Sequence, residues 1–347
     1  MNVSFLEIAR SFFEIPDDFS LPEKSSSSIS IWQKRLSEQF NNAKYGYPKT
    51  EIFRIPTLED DLIEILAPIL GIKRKIETNA TLCLTHDLDY LKSTTQMNIK
   101  RSFSQKMPNW KYENYFTSIQ TLVEYDISQG GSSSFFVACP QKIRPGLRRM
   151  KQWILDPSYN LHDALFQEVL SIFNKKNVEI GIHGSFYSHE ENLLSEEVIK
   201  LSKATGRQIR CARQHWLNLP DPSNDFARIA GAGIKVDSTM GWNGTVGFRG
   251  GISRPFKIQT ANGPLALLPM VLMDGPLFDD LRLSPSEAVK LSIQILEEVH
   301  QRQGTVALDW HERCAHPSYE WFDAYCEIVS WAKNKGFQFS SVTGSVG

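Results

Sequence analysis

The sequence predicts an α/β fold: a mainly parallel sheet of about seven or eight βα units curved into a TIM-like barrel, preceded by a short, mostly helical N-terminal extension. Three observations carry this. From Ala80 onward, short apolar runs alternate with amphipathic helical stretches, the pattern of repeated βα units. Eight runs read as strands: ATLCLT, SFFVA, VEIGI, IRCA, GIKVD, LALLPMV, TVALDW and FQFSSV, with helical stretches at 161–175, 193–204, 285–302 and 319–335 between them. Finally, Asp87, His183, Arg213, Asp237 and His311 each fall at, or just past, the carboxyl end of such a run. That edge is where barrels and open α/β sheets build their active sites. An open doubly wound sheet shares the periodicity, but no GxGxxG or phosphate-loop pattern opens the first unit.

Residues 1–78 form the extension and 79–347 the barrel region. The extension carries helical candidates around 3–13 and 59–70, and the Ser-rich tract SSSSIS between them reads as a linker. With 347 residues and 41% hydrophobic content, the chain can bury one large core or two small ones. Lys+Arg 38 against Asp+Glu 39 give a net charge of -1, so no global basic excess draws it to nucleic acid or an anionic membrane. A local basic patch stays open. The start, MNVSFLEIARSFFEIP, places Glu7 inside its apolar stretch and does not read as a signal peptide. No apolar run is long enough to span a bilayer. Cys83, Cys139, Cys211, Cys314 and Cys326 lack close paired spacing, which argues against a disulfide framework or a zinc knuckle and for a cytoplasmic protein with small buried thiols.

The segment THDLD at 85–89 presents two carboxylates on alternate residues after an apolar strand, and an extended chain points both to one side. Such a pair can divide labour, one carboxylate holding a metal and the other accepting a proton from water. Its plain alternative is a pair of solvated loop acids or a helix cap. EIGIHGSFYSH at 179–189 sets His183 directly after a strand with His189 six residues on, and neutral imidazole suits zinc and related cations. CARQHW at 211–216 adds Arg213, able to keep a carboxylate ionised, and His215; ALDWHER at 307–313 adds His311, a general acid toward a leaving amine or else a core histidine beside Trp310.

In the order and spacing of these motifs, residues of about 80–345 resemble the polysaccharide deacetylase family, carbohydrate esterase family four. The resemblance implies a distorted (β/α)7 barrel. THDLD resembles the first motif, making Asp87 the catalytic base and Asp89 a metal ligand; SSSFFVA resembles the Phe-Phe strand after it; IHGSFYSH resembles the histidine motif, making His183 a ligand. RQHW resembles the Arg-x-Pro-Tyr motif, with Arg213 the partner of the base, and the Trp310–His311 pair resembles the last motif, with His311 the acid. A bacterial branch associated with surface polysaccharides is the closer likeness, with GFRGGISRPF at 247–256 after VDSTMGW at 236–242. This marks Asp237 and Arg249 as supporting or substrate-contacting residues, with a strand-end cap and a surface salt bridge as their ordinary alternatives.

The chain departs from the pattern where the second histidine belongs, four residues after the first: Tyr187 stands there. His189 would replace it awkwardly, because six residues span about 20 Å in a strand. His215, from the next strand end, can converge on the same point, so Asp89, His183 and His215 are the preferred ligand set. N, N and O donors suit zinc, with cobalt or nickel also fitting. Trp216 is expected to bind substrate, with a backbone N–H near it facing the oxyanion. The expected activity is removal of acetyl groups from N-acetylated sugars, with a small-molecule or glycan substrate. The other readings are an allantoinase-like amidohydrolase on a non-sugar C–N bond and a glycan-binding barrel that has lost its metal.

Overall fold

The structure, a computed structural model, describes residues 5–15, 18–41, 43–44, 47–48, 53–70, 79–94, 113–139, 146–157, 159–190 and 192–346. Nearly continuous apolar runs make strands covered on both faces, as parallel sheets require. Such runs form β1 (Thr81–Leu88), β2 (Ser133–Ala138), β3 (Glu179–Gly184), β4 (Cys211–Gln214) and β5 (Val236–Asp237), followed by β6 (Phe256–Thr260), β7 (Gly263–Leu267), β8 (Met270–Met273), β9 (Thr305–Asp309) and β10 (Gln338–Phe339). Their order is β8-β9-β1-β2-β3-β4-β5-β7-β6. Within this sheet all pairings are parallel except the β6–β7 hairpin. β1 forks: β10 pairs with its first residues, Thr81 and Leu82, and β2 with Leu84 to Leu88.

LALLPMV is two strands rather than one. Pro269 has no N–H for a ladder, so the run breaks there and bends. Leu268 still donates to the Asp237 carbonyl on the β5 side, whereas Ala307 of β9 donates to the Pro269 carbonyl. One bent segment therefore ties the two ends of the strand order and curls the sheet into an incomplete α/β barrel. The hairpin strand β6 adds to the expected strands; its two-residue turn is Ala261–Asn262, with Thr260 paired to Gly263.

The four expected barrel helices are α6 (Ala164–Lys175), α7 (Leu193–Thr205), α9 (Pro285–Gln301) and α10 (Phe322–Lys335). Local chemistry sets their ends. Ser284 and Glu287 make a reciprocal capping box at the start of α9, and Gly206 and Gly336, in left-handed backbone, stop α7 and α10. Three further helices were not anticipated: α4 (Phe116–Ser128), α5 (Leu147–Leu155) and α8 (Pro222–Gly231).

In the N-terminal stretch, α1 (Phe5–Ala9) and α3 (Thr57–Leu70) fall within or around the expected helices. The Ser-rich linker does not exist as such: SSSSIS runs into α2 (Ser26–Asn41). Ile29, Trp32, Leu36 and Phe40 repeat at helical spacing and are buried. That stripe outweighs the weak helix propensity of serine, because packing of an apolar face supplies most helical stability in proteins. The Trp32 ring meets Phe5 edge-on at 5.1 Å, and its Nε1 donates to the Leu58 carbonyl at 2.7 Å. These helices share one continuous apolar core with the barrel. Buried Glu59 accepts from the Ser253 amide and hydroxyl and faces Arg254 at 3.4 Å. The proposed junction at 78/79 borders residues 71–78, which lie outside the described residues. All five cysteines are free, and among the described residues no helix is long and apolar enough to cross a membrane.

Candidate active site

The pleat of β1 divides THDLD between two faces. His86 points to the helix layer, where its ring nitrogens meet the Trp310 carbonyl at 2.7 Å and Asp126 at 3.0 Å. Thr85, Asp87 and Asp89 share the opposite face, toward the barrel interior. There His183, from β3, sets Nε2 3.4 Å from Asp89 Oδ1 and 3.6 Å from Asp87 Oδ2. His215, just past β4, brings its Nε2 to 3.8 Å from Asp89 Oδ1, with the two imidazole centroids 4.9 Å apart.

Both rings are held by their other nitrogen. His183 Nδ1 bonds the Arg213 carbonyl at 3.0 Å and His215 Nδ1 bonds Asp156 Oδ1 at 3.1 Å, which turns each Nε2 inward. His183 Nε2 and Asp89 Oδ1 are buried with no hydrogen-bond partner among the described residues. Two orphaned donors of complementary type beside a third imidazole fit a cation, because a buried polar atom left unpaired is costly. Burial lowers the His183 pKa, which keeps it a neutral electron-pair donor. Burial works to raise the Asp89 carboxyl, but the surrounding His215, His311, His183 and Arg313 prevail and bring it down to about 2. His189 and Tyr187 are elsewhere. The turns after β3 carry them off, and His189 instead faces Glu190 at 3.7 Å and Asn218 at 3.4 Å.

A second knot surrounds Arg213, which is fully buried. It donates to Asp87 Oδ1 at 2.8 Å, Asp309 Oδ1 at 2.7 Å, Thr85 Oγ1 at 2.8 Å and both oxygens of Ser238 at 3.2 Å, with its guanidinium 4.3 Å above Phe136. Burial works against the Arg213 charge, but Asp87 and Asp309 more than restore it. Asp87, Asp309 and His311 also converge. A guanidinium already lies between those carboxylates, so this group repels a metal rather than inviting one. Burial and the Asp87 charge push Asp309 up to about 7.

His311 is turned by Asp274: its Nδ1 lies 2.6 Å from Oδ1 and its backbone N–H donates to Oδ2 at 3.1 Å. Burial works to lower the His311 pKa, yet the Asp274 carboxylate raises it to about 10. The free Nε2 lies 3.6 Å from Asp89 Oδ2. Asp274, Asp156, Asp309 and Glu312 escaped the sequence reading. Asp274 obeyed the same rule that exposed Asp87, a carboxylate closing an apolar strand, and Asp309 stood inside the ALDWHER motif. Asp156 precedes Pro157 in no recognisable pattern, 59 residues from its histidine. Glu312 accepts from the amides of Asp89 and Tyr90 at 3.3 and 3.2 Å, fixing the end of β1.

These groups open into a cleft of about 720 Å³ walled by Trp216, Phe278, Tyr319, Trp321, Asn243 and Tyr47. Phe278 and Trp321 stack at 4.7 Å. Trp216 and Leu217 adopt positive φ, 60° and 47°, a strained conformation kept by bonds from Trp216 Nε1 to the Leu155 carbonyl and from Asn243 Nδ2 to the Trp216 carbonyl. Of the three expected substrate residues, Trp216 lines the cleft; Asp237 and Arg249 do not. Both are buried behind it: Asp237 accepts from the Thr239 amide and hydroxyl, and Arg249 reaches the Leu217 and Gly241 carbonyls at 3.4 and 3.3 Å beside Trp242. Of the two roles expected of Asp237 and Arg249, supporting or substrate-contacting, these positions suit the supporting one, because strand-end and loop backbone need such bonds once buried.

Neither a family model nor a curated protein matches the sequence. Solved structures do. A chain described as a polysaccharide deacetylase from Mycobacterium smegmatis aligns with a TM-score of 0.52 at 17% identity, covering 78% of this chain and 89% of that one. A pseudoenzyme of carbohydrate esterase family four from Bacillus anthracis aligns at 0.42 with 11% identity over 78% and 66% of the two chains, and a polysaccharide deacetylase from Bacillus cereus at 0.39 with 11% identity over 76% and 91%. The chain has the polysaccharide deacetylase fold.

Proposed function

We propose that the protein is a metal-dependent hydrolase that removes the acetyl group from an N-acetylated sugar, in the biosynthesis of a surface polysaccharide or glycoconjugate. The carrying observation is the meeting of His183 Nε2 and Asp89 Oδ1, both buried and without a hydrogen-bond partner among the described residues, with His215 Nε2, bordered by a carboxylate held by arginine and a histidine held by carboxylate. Asp89, His183 and His215 would hold the cation, with zinc, cobalt or nickel suiting the donors. When bound, the cation supplies Lewis acidity to the acetamide carbonyl and acidifies water.

The protein's own groups complete the reaction. Arg213 holds Asp87 by its Oδ1 and leaves Oδ2 to accept the proton of the attacking water. Trp216 and the strained backbone beside it border the acyl group. His311, held as imidazolium by Asp274, delivers a proton from Nε2 to the leaving sugar nitrogen. Free cysteines support a reducing compartment, the cytoplasm, and with it a nucleotide- or lipid-linked sugar.

The test is acetate release from a panel of acetamido sugars and sugar nucleotides by zinc- or cobalt-loaded protein, abolished by a chelator. Hydrolysis of a ureide or cyclic amide with no acetate from any sugar would replace the reading with an amidohydrolase. A purified protein that takes up no metal would sink it.

A further inference from the structure

We infer that the N-terminal segment is part of the active site and that Tyr47 is a specificity-determining residue, forming the wall against which a second ring of the substrate, joined to the acetamido sugar, packs. The inference rests on the proposed deacetylase reading. Tyr47 sits on a two-residue strand, Tyr47–Pro48, paired with Ala43–Lys44, outside the barrel in sequence yet on the cleft wall in space. The residue is 40% exposed.

The placement is built rather than incidental. Gly244, at φ +61°, leaves room for the ring: a Cβ there would lie 2.7 Å from Tyr47 Cδ1. Asp280 and Asp279 line the same cleft, and burial, with their charges, raises the phenol pKa. Three more contacts fasten the segment to the loop after β5. Arg54 donates to Thr245 Oγ1 at 3.1 Å, the Phe248 amide to the Phe53 carbonyl at 2.8 Å, and the Glu59 amide to the Gly251 carbonyl at 2.9 Å.

A half-exposed aromatic face on a cleft already walled by Trp216 and by stacked Phe278 and Trp321 suits the flat C–H face of a pyranose or a nucleobase. The carboxylates of Asp279 and Asp280 stand where ring hydroxyls or amines would find acceptors. The shared chemistry is a ring with an apolar face; its source is a neighbouring sugar or the base of a nucleotide sugar. A cleft of about 720 Å³ exceeds what one sugar needs and leaves space for that second ring.

The test measures kcat and KM of the metal-loaded, full-length protein for tetra-N-acetylchitotetraose and for UDP-N-acetylglucosamine. Tyr47→Ala should raise KM about tenfold for whichever is turned over, with kcat nearly kept, the size expected of one aromatic contact. Tyr47→Phe should restore KM. Gly244→Ala, whose Cβ would crowd the ring and strain the left-handed backbone at that position, should reproduce the KM increase with the melting temperature measured alongside. The substrate showing the effect identifies the second ring as sugar or base. An unchanged KM in Tyr47→Ala, or a fall in kcat accompanied by a lower melting temperature, overturns the inference and leaves the deacetylase reading standing. Absence of acetate from every acetamido sugar overturns both.

Discussion

Replacing Asp274 by Asn isolates how the barrel keeps His311 charged. The Nδ1–Oδ1 distance of 2.6 Å is that of a partly buried charge-assisted hydrogen bond, and the imidazole is held at about 10 against an ordinary 6.5. That displacement corresponds to roughly 5 kcal/mol in favour of the imidazolium. A buried hydrogen bond to a charged group contributes about 1.5–3 kcal/mol, or one to two pH units, and the Asp274 charge adds the Coulomb part. Once the carboxylate is gone, burial and Arg313 lower the histidine, with Asp309 left to oppose them. A general acid must be protonated, so the alkaline limb of kcat/KM should move down by at least about two pH units, and activity should recover as pH is lowered. Linkage gives the same sign for stability. The pair stabilises the fold fully below the unfolded histidine pKa of 6.5, and that stability is lost as pH rises through about 10. Wild-type melting temperatures should therefore decline across that window more steeply than those of the variant. Metal content should not change. An alkaline limb at the same pH in Asp274→Asn, with metal retained, would refute the assignment of His311 as the acid.

Three other outcomes follow from the geometry. Asp87→Asn and His311→Ala should retain metal and lose turnover by about a hundredfold to ten-thousandfold, whereas Asp89→Asn should lose metal affinity as well; equal metal loss in all three would end the division of roles. Metal content should fall sharply in His215→Ala and stay near normal in His189→Ala, with both variants shown to be folded by circular dichroism, and the reverse would move the ligand to His189. Trp32→Ala should destabilise the protein by about 3–5 kcal/mol in a urea titration, because its ring is buried between α1 and α3; a loss below about 1 kcal/mol would mean that α2 is peripheral to the core.

Periodicity and strand-end chemistry were legible in the sequence because they are local. An apolar run closed by Asp87, His183, Arg213 or His311 announces both a strand and the edge at which these side chains gather. The same locality hid the rest. β6 and α2 needed long-range packing to decide between loop and element. The break at Pro269 was readable, but not that the bend it makes would tie the ends of the sheet. Tertiary structure alone set His215 rather than His189 beside Asp89, since neighbouring strand ends meet in space while the turns after β3 carry the nearer histidine away. It alone supplied Asp156 and Asp274, whose bonds to His215 and His311 span 59 and 37 residues, and it alone brought Tyr47 to the cleft. Sequence spacing carries the period of a strand or helix, but which side chains share a site depends on how the barrel closes, and that is decided by burial summed over the whole core.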